Sequence, residues 1–187
     1  SYMEQKKLRV AVIGAGGWGY QHARAFSGRS DTELVAIAGR TQERTAKRAA
    51  EFKVPYYFSV PELLEKEKPD FVSLCLPAQH TFETTMAVIE AGIPLLSEKP
   101  IAYKLEEARA LVAKAEEKNL FYAIDFNQRY SIPCLKAKQA IDEGRLGRPV
   151  FAHWRFGHGW DTPYLDHPYL NLIEAQCHGL DLLEHLC

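Results

Sequence analysis

Gly14-Ala15-Gly16-Gly17-Trp18-Gly19 follows the apolar run Leu8-Arg9-Val10-Ala11-Val12-Ile13 and precedes a helical pattern through Phe26. A G-x-G-x-x-G turn between a strand and a helix leaves a chain few folds to choose from. Gly14 permits the tight turn, Gly16 lets backbone N–H groups approach a pyrophosphate, and Gly19 lets helix and strand pack closely. The N-terminus of the helix adds positive potential for phosphates. Gly14, Gly16, Gly17, Trp18 and Gly19 are therefore candidate nucleotide-binding residues, with Trp18 a packing or lid residue over the phosphates.

Strand and helix patterns keep alternating to about residue 125. Further strands are expected at 33–38, 56–58, 71–76, 94–97 and 120–124, and helices at about 42–52, 81–91 and 104–118. Near-continuous apolar strands separated by helices argue for a parallel sheet covered on both faces. Right-handed crossovers then make it a doubly wound α/β sheet, a Rossmann domain over residues 1–125.

Composition excludes some functions. The chain has 187 residues, 47% hydrophobic and 25% charged, with a net charge of -1. That balance gives no reason to expect nucleic acid or an anionic membrane as partner, and no apolar run approaches the length of a membrane span. No leader pattern opens the sequence. Cys75, Cys134, Cys177 and Cys187 form no C-x-x-C pair, so reduced thiols and a cytoplasmic location are expected. Cys177 beside His178 reads as a packing cysteine rather than a nucleophile, because adjacent helix positions face different ways.

The end of the second strand is informative about the cofactor. An acidic residue usually stands there to bind a ribose 2′-OH. Here the place holds Gly39, followed by Arg40 and Thr41, which can pair with and donate to a 2′-phosphate. NADP is expected ahead of NAD. A plainer reading makes Arg40 the first charge of a solvated helix that continues through Glu43, Arg44, Lys47 and Arg48.

Lys99 stands in Glu98-Lys99-Pro100, after Ile93-Pro94-Leu95-Leu96-Ser97. Open parallel sheets keep their ligands beyond the carboxyl ends of the strands. Pro100 disfavours helical geometry at Lys99, so the lysine is expected on an extended turn, placed to donate to a substrate hydroxyl or carbonyl. A surface Glu-Lys pair of little energetic worth is the plainer alternative.

Val12-Ile13-Gly14-Ala15-Gly16-Gly17-Trp18-Gly19, Leu76-Pro77-Ala78-Gln79-His80, Glu98-Lys99-Pro100 and Phe126-Asn127-Gln128-Arg129-Tyr130 occur in this order. Together they resemble the glucose–fructose oxidoreductase and inositol dehydrogenase family over nearly the whole chain. The resemblance implies an NAD(P)-dependent oxidoreductase of sugars, polyols or related alcohols. It also implies a C-terminal α/β substrate domain, of which 126–187 is only the start, with one strand at about Pro149 to Phe156. The family's lysine matches Lys99, and its acidic residue, histidine and aspartate on a helix match Glu174, His178 and Asp181. His178 would be the general acid/base, Glu174 a neighbour tuning it, and Lys99 the group that steadies an alkoxide. Pro77, Ala78 and His80 would lie by the cofactor's ribose, Asn127 and Arg129 near the nicotinamide. Glu98 would orient Lys99 or a ribose. No metal is needed, and a homo-oligomer is the expected assembly.

Plainer readings stand beside these. Asn171 can cap the last helix, with Glu174 as its N3 partner. Glu174, His178, Asp181 and His185 can be a solvated stripe opposite Leu172, Ile173, Leu182, Leu183 and Leu186. The aromatic segment from Trp154 to Tyr164 suits a sugar, or a loop packed on itself. The competing functional class is a nucleotide-binding fragment or regulatory relative without turnover.

Overall fold

A computed structural model of the chain describes residues 6–156 and 172–187. The chain divides into two compact units, Ser1–Ile124 and Asp125–Cys187.

The first unit is a doubly wound sheet. Its strands are β1 (Leu8–Ile13), β2 (Thr32–Ala38), β3 (Tyr56–Tyr57), β4 (Phe71–Leu74), β5 (Leu95–Glu98) and β6 (Tyr122–Asp125), in the order β3-β2-β1-β4-β5-β6. β1 to β5 pair in parallel. The helices between them are α1 (Gly17–Ser27), α2 (Gln42–Phe52), α3 (Val60–Glu67), α4 (Thr81–Glu90) and α5 (Leu105–Glu117).

Alternation along β1 sends neighbouring side chains to opposite faces. Ala11 and Ile13 join a core with Leu63 of α3, Ile89 of α4 and Leu111 of α5. Val12 joins a second core with Ala23 of α1 and Ile37 of β2. Burial on both faces explains why the central strands read as unbroken apolar runs.

Register brings the strands' carboxyl ends to one edge. Ile13 pairs with Ala38 and with Leu74, and Leu74 pairs with Ser97. Gly14, Gly39, Cys75 and Glu98 are therefore the next residues out along that edge, or already on it. The point where the chain winds outward in both directions lies between β1 and β4, where sheets of this type bind ligands.

Two expectations are corrected here. Helix α3 was not foreseen, although Ser59 caps it by accepting from the Glu62 N–H at 3.4 Å and Pro61 stands in its first turn. The strand expected at Pro149 to Phe156 is absent; Val150 and Phe151 are exposed there. Among the described residues no other strand of the second unit is present to take its backbone hydrogen bonds.

The second unit contains a 3-10 turn at Asn127–Tyr130, α6 (Ile132–Asp142), a π turn at Leu172–Gln176 and α7 (Cys177–Leu186). Helix α6 was also not foreseen. Asn171 and residues 157–164 of the aromatic segment lie outside the described residues. Among the described residues, no helix is long and apolar enough to cross a membrane.

Leu111 is fully buried, whereas Val112 beside it on α5 is exposed. Leu111→Ala should destabilise the fold by about 2–5 kcal/mol, and Val112→Ala by no more than about 0.5 kcal/mol. Urea denaturation of the two variants checks this.

Candidate active site

The glycine turn is shaped by contacts that a side chain would block. Gly14 has φ +122°, and a Cβ there would lie 2.2 Å from the Cys75 carbonyl oxygen. A Cβ on Gly19 would lie 1.8 Å from the Gly14 carbonyl oxygen. Both contacts are with backbone, which has little room to give. Gly16 and Gly17 differ: a Cβ on either would have no neighbour within 4 Å. Their backbone therefore faces open space.

Helix α1 begins there with no side-chain cap and no acidic residue in its first turn. The other helices of the carboxyl edge do not share both features; α2 has Glu43 and α4 has Glu83 in the first turn. An uncapped N-terminus with open backbone in front suits an anion. The residues thus fit the pyrophosphate of a dinucleotide. Trp18 is 59% exposed beside the turn, free of the core. A cavity of about 240 Å³ adjoins it, lined by Gly16, Gly17, Arg44, Lys47, Arg48 and Glu51. Arg48 lies over the Tyr20 ring at 4.5 Å. Larger concavities lie elsewhere, one at the amino ends of the strands among Lys6, Ser30 and Asp70.

At the end of β2, a Cβ on Gly39 would lie 2.4 Å from Thr45 Oγ1 and 3.0 Å from the Ala15 Cβ. Thr45 is fully buried, and its hydroxyl donates to the Thr41 carbonyl at 2.7 Å. The position has no space for an acidic side chain as packed. Arg40 Nη1 lies 3.2 Å from His80 Nε2, so the turns after β2 and β4 bring two expected cofactor residues together. His80 accepts from the guanidinium in its neutral form. Both are exposed, as is Pro77, while Ala78 is buried.

Lys99 is half-buried at the tip of β5, joined to Pro100 by a cis peptide bond. Glu98 is 7% exposed and its carboxylate is bound inside the unit: Oε1 lies 3.2 Å from His22 Nε2. His22 Nδ1 in turn lies 2.7 Å from Ser73 Oγ. Burial pushes the nearby Cys75 thiol up, which makes it a poor nucleophile. Sequence reasoning passed over His22 and Ser73. The available signal was a polar residue three positions after Gly19, on the α1 face that also buries Gly19 and Ala23.

In the second unit, Arg129 Nε donates to Asp181 Oδ2 at 2.8 Å, and Nη2 donates to Asp181 Oδ1. Asp181 is 8% exposed. The Arg129 guanidinium, expected to line the nicotinamide pocket, is held here by Asp181, and the paired carboxylate keeps it charged. Asn127 sits on the same 3-10 turn. His178 packs edge-on to Phe126, with ring centres 6.1 Å apart. Trp154 covers Gly179, where a Cβ would lie 2.3 Å from Trp154 Cδ1, and its indole N–H donates to Gln176 Oε1 at 3.1 Å. Glu174 falls in the π turn, whereas His178 and Asp181 are on α7. The even helical face expected for all three is therefore interrupted, because an i→i+5 turn advances less per residue than an α turn.

The strand order and glycine cradle define a dinucleotide-binding Rossmann unit. The chain belongs to the oxidoreductase family with an NAD-binding Rossmann fold (GFO_IDH_MocA), which it matches over residues 8–126. It is 32% identical over 149 residues to D-glucoside 3-dehydrogenase of Escherichia coli (strain K12), covering 79% of this chain and 42% of that one. It is 26% identical over 187 residues to scyllo-inositol 2-dehydrogenase (NAD(+)) of Bacillus subtilis (strain 168), covering 97% and 54%. Among solved structures, myo-inositol 2-dehydrogenase from Lactobacillus plantarum aligns with TM-score 0.72 at 25% identity, over 76% of this chain and 43% of that one. An oxidoreductase from Agrobacterium radiobacter, solved with NAD+, L-tartaric acid and magnesium, shares the fold with TM-score 0.87 at 22% identity, over 97% and 55%. The chain spans about half the length of the curated relatives it matches.

Gly19→Ala should destabilise the protein by about 3 kcal/mol, the upper end for overpacking. Gly16→Ala, with open space at the Cβ and an extended backbone, should change stability by less than about 0.5 kcal/mol. Urea unfolding of the two variants tests the separate roles.

Proposed function

We propose that this chain belongs to an oxidoreductase that moves a hydride between NADP(H) and a hydroxyl-bearing carbon of a sugar, polyol or related alcohol. The observation that carries the reading is the glycine cradle, with the open backbone of Gly16 and Gly17 before an uncapped helix. The relatives named above act, by their names, on a glucoside and an inositol. When bound, the nicotinamide supplies or accepts the hydride at its C4.

The chain's own groups do the rest. The Gly16–Gly19 backbone and the α1 N-terminus hold the pyrophosphate. Arg40 and Thr41 take the 2′-phosphate, and His80 stands beside them. The preference for NADP rests on Gly39, whose packing against Thr45 and Ala15 leaves no room for the usual acid. Lys99 donates to the substrate oxygen and steadies it as negative charge develops. His178 takes or returns the hydroxyl proton, with Glu174 as a neighbour that tunes it. Asp181 is left the supporting task of fixing Arg129 to α7.

Fluorescence titration of this chain should show tighter binding of NADPH than of NADH. Arg40→Ser should weaken NADPH binding about 10–100-fold, the worth of a charge-assisted hydrogen bond, and leave NADH binding nearly unchanged. Tighter NADH binding by the unmodified chain sinks the cofactor preference. In an absorbance assay over a panel of polyols and aldoses, Lys99→Ala and His178→Ala should each lower turnover by about 10²–10⁴-fold. Nucleotide binding without turnover of any panel member supports the non-catalytic reading instead.

A further inference from the structure

His22 is a buried titratable group that the proposed chemistry does not use. Its ring joins three segments distant in sequence: α1, which carries it, β4 through Ser73, and β5 through Glu98. His22, Ser73 and Glu98 are all buried. The next residue after Glu98 is Lys99. We propose that His22 is a positioning residue for Lys99, acting by holding the Glu98 carboxylate inside the sheet edge.

The chemistry of the three groups is complementary. With the ring proton on Nε2, the imidazole donates to Glu98 and accepts from the Ser73 hydroxyl at Nδ1. The doubly protonated ring donates to both. Either way the buried carboxylate receives an N–H at Oε1. A carboxylate that loses such a donor inside a protein is strongly disfavoured and turns toward water. Glu98 is the last residue of β5, so its turning outward re-aims the backbone from which Lys99 departs. Groups facing the pair from the neighbouring elements include the Ser73 hydroxyl, the Cys75 thiol, whose raised pKa keeps it uncharged, and at the carboxyl end of β6 the Asp125 carboxylate, an oxygen of which lies within 4.8 Å of both His22 and Glu98. His22 also lies three residues beyond Gly19 on α1. One helix thus presents its N-terminus to the proposed phosphate site and, one turn on, fixes the strand tip that bears the lysine.

The inference rests on the proposed role of Lys99 and is tested by a measurement that needs no substrate. The rate of acetylation of Lys99 by an N-hydroxysuccinimide ester is followed by peptide mass spectrometry, with exposed Lys66 as the internal reference. His22→Ala and Glu98→Ala should each change the Lys99 rate at least threefold relative to Lys66. The double variant should change it no further, since both remove one interaction. His22→Gln, which keeps an N–H donor toward Glu98, should recover part of the difference. NADPH affinity is measured on the same proteins and should fall in parallel. Lys99 rates equal to the unsubstituted protein's in folded variants, or effects that multiply in the double variant, overturn the inference. If His22→Ala does not fold by circular dichroism, His22→Gln against Glu98→Ala decides: only the second should shift Lys99 strongly. If the unsubstituted chain binds no nucleotide, the functional reading falls, while the Lys99 rates still decide the role of His22.

Discussion

The first unit depends on one close approach. Helix α1 crosses β1 with the Gly19 backbone against the Gly14 carbonyl oxygen, where a methyl group would stand 1.8 Å from that oxygen. This contact fixes how the helix leaves the strand, and so where its uncapped N–H groups are aimed. It also sets Gly14 in a positive-φ turn tight under the Cys75 carbonyl. A single side chain at either position would separate helix from sheet, and the open backbone of Gly16 and Gly17 would lose its place at the carboxyl edge. Packing at two glycines leaves the other two free to face a ligand.

The same edge shows how a mostly apolar core accommodates polar groups. Thr45 donates to the Thr41 carbonyl, and Glu98 is held by His22, which is in turn bound to Ser73. Buried polar groups are stable when their hydrogen bonds are made. Each of these lies beneath a segment expected to touch cofactor or substrate: Thr45 below the turn at Arg40, and His22 below the turn at Lys99. Rigid support under an exposed functional turn is what holds its side chains in working geometry.

Local chemistry was legible in the sequence where one residue decides one contact. The strand, glycine turn and helix at 8–27 follow from apolar alternation and three glycines, and the structure has them in the expected order. Lys99 at a strand tip follows from an apolar run ended by a proline. Other features need partners far along the chain. The apolar run 71–76 reads as one strand, yet β4 ends at Leu74: the Cys75 N–H still donates to the Ile13 carbonyl, and the chain then leaves the sheet toward Pro77. Pro149 to Phe156 has strand-like residues and, among the described residues, no strand pairs with it. The π turn before α7 is a matter of hydrogen-bond register, which the spacing of Glu174, His178 and Asp181 does not encode. Helix α3 is a different case: Ser59 and Glu62 spelled its start, and its short length hid it. His22 was invisible because its partners are 51 and 76 residues away.

The tight fit at Gly39 limits which side chains the turn after β2 can accept. Thr45 cannot simply rotate away, since its hydroxyl is anchored to Thr41 and its side chain is fully buried. Any side chain at position 39 would therefore press on both Thr45 Oγ1 and the Ala15 Cβ. What position 39 can hold is thus decided by the packing of α2 and of the glycine turn as much as by the residue itself. A side chain introduced at 39 alone is expected to loosen this corner of the unit, because the groups it meets are themselves packed.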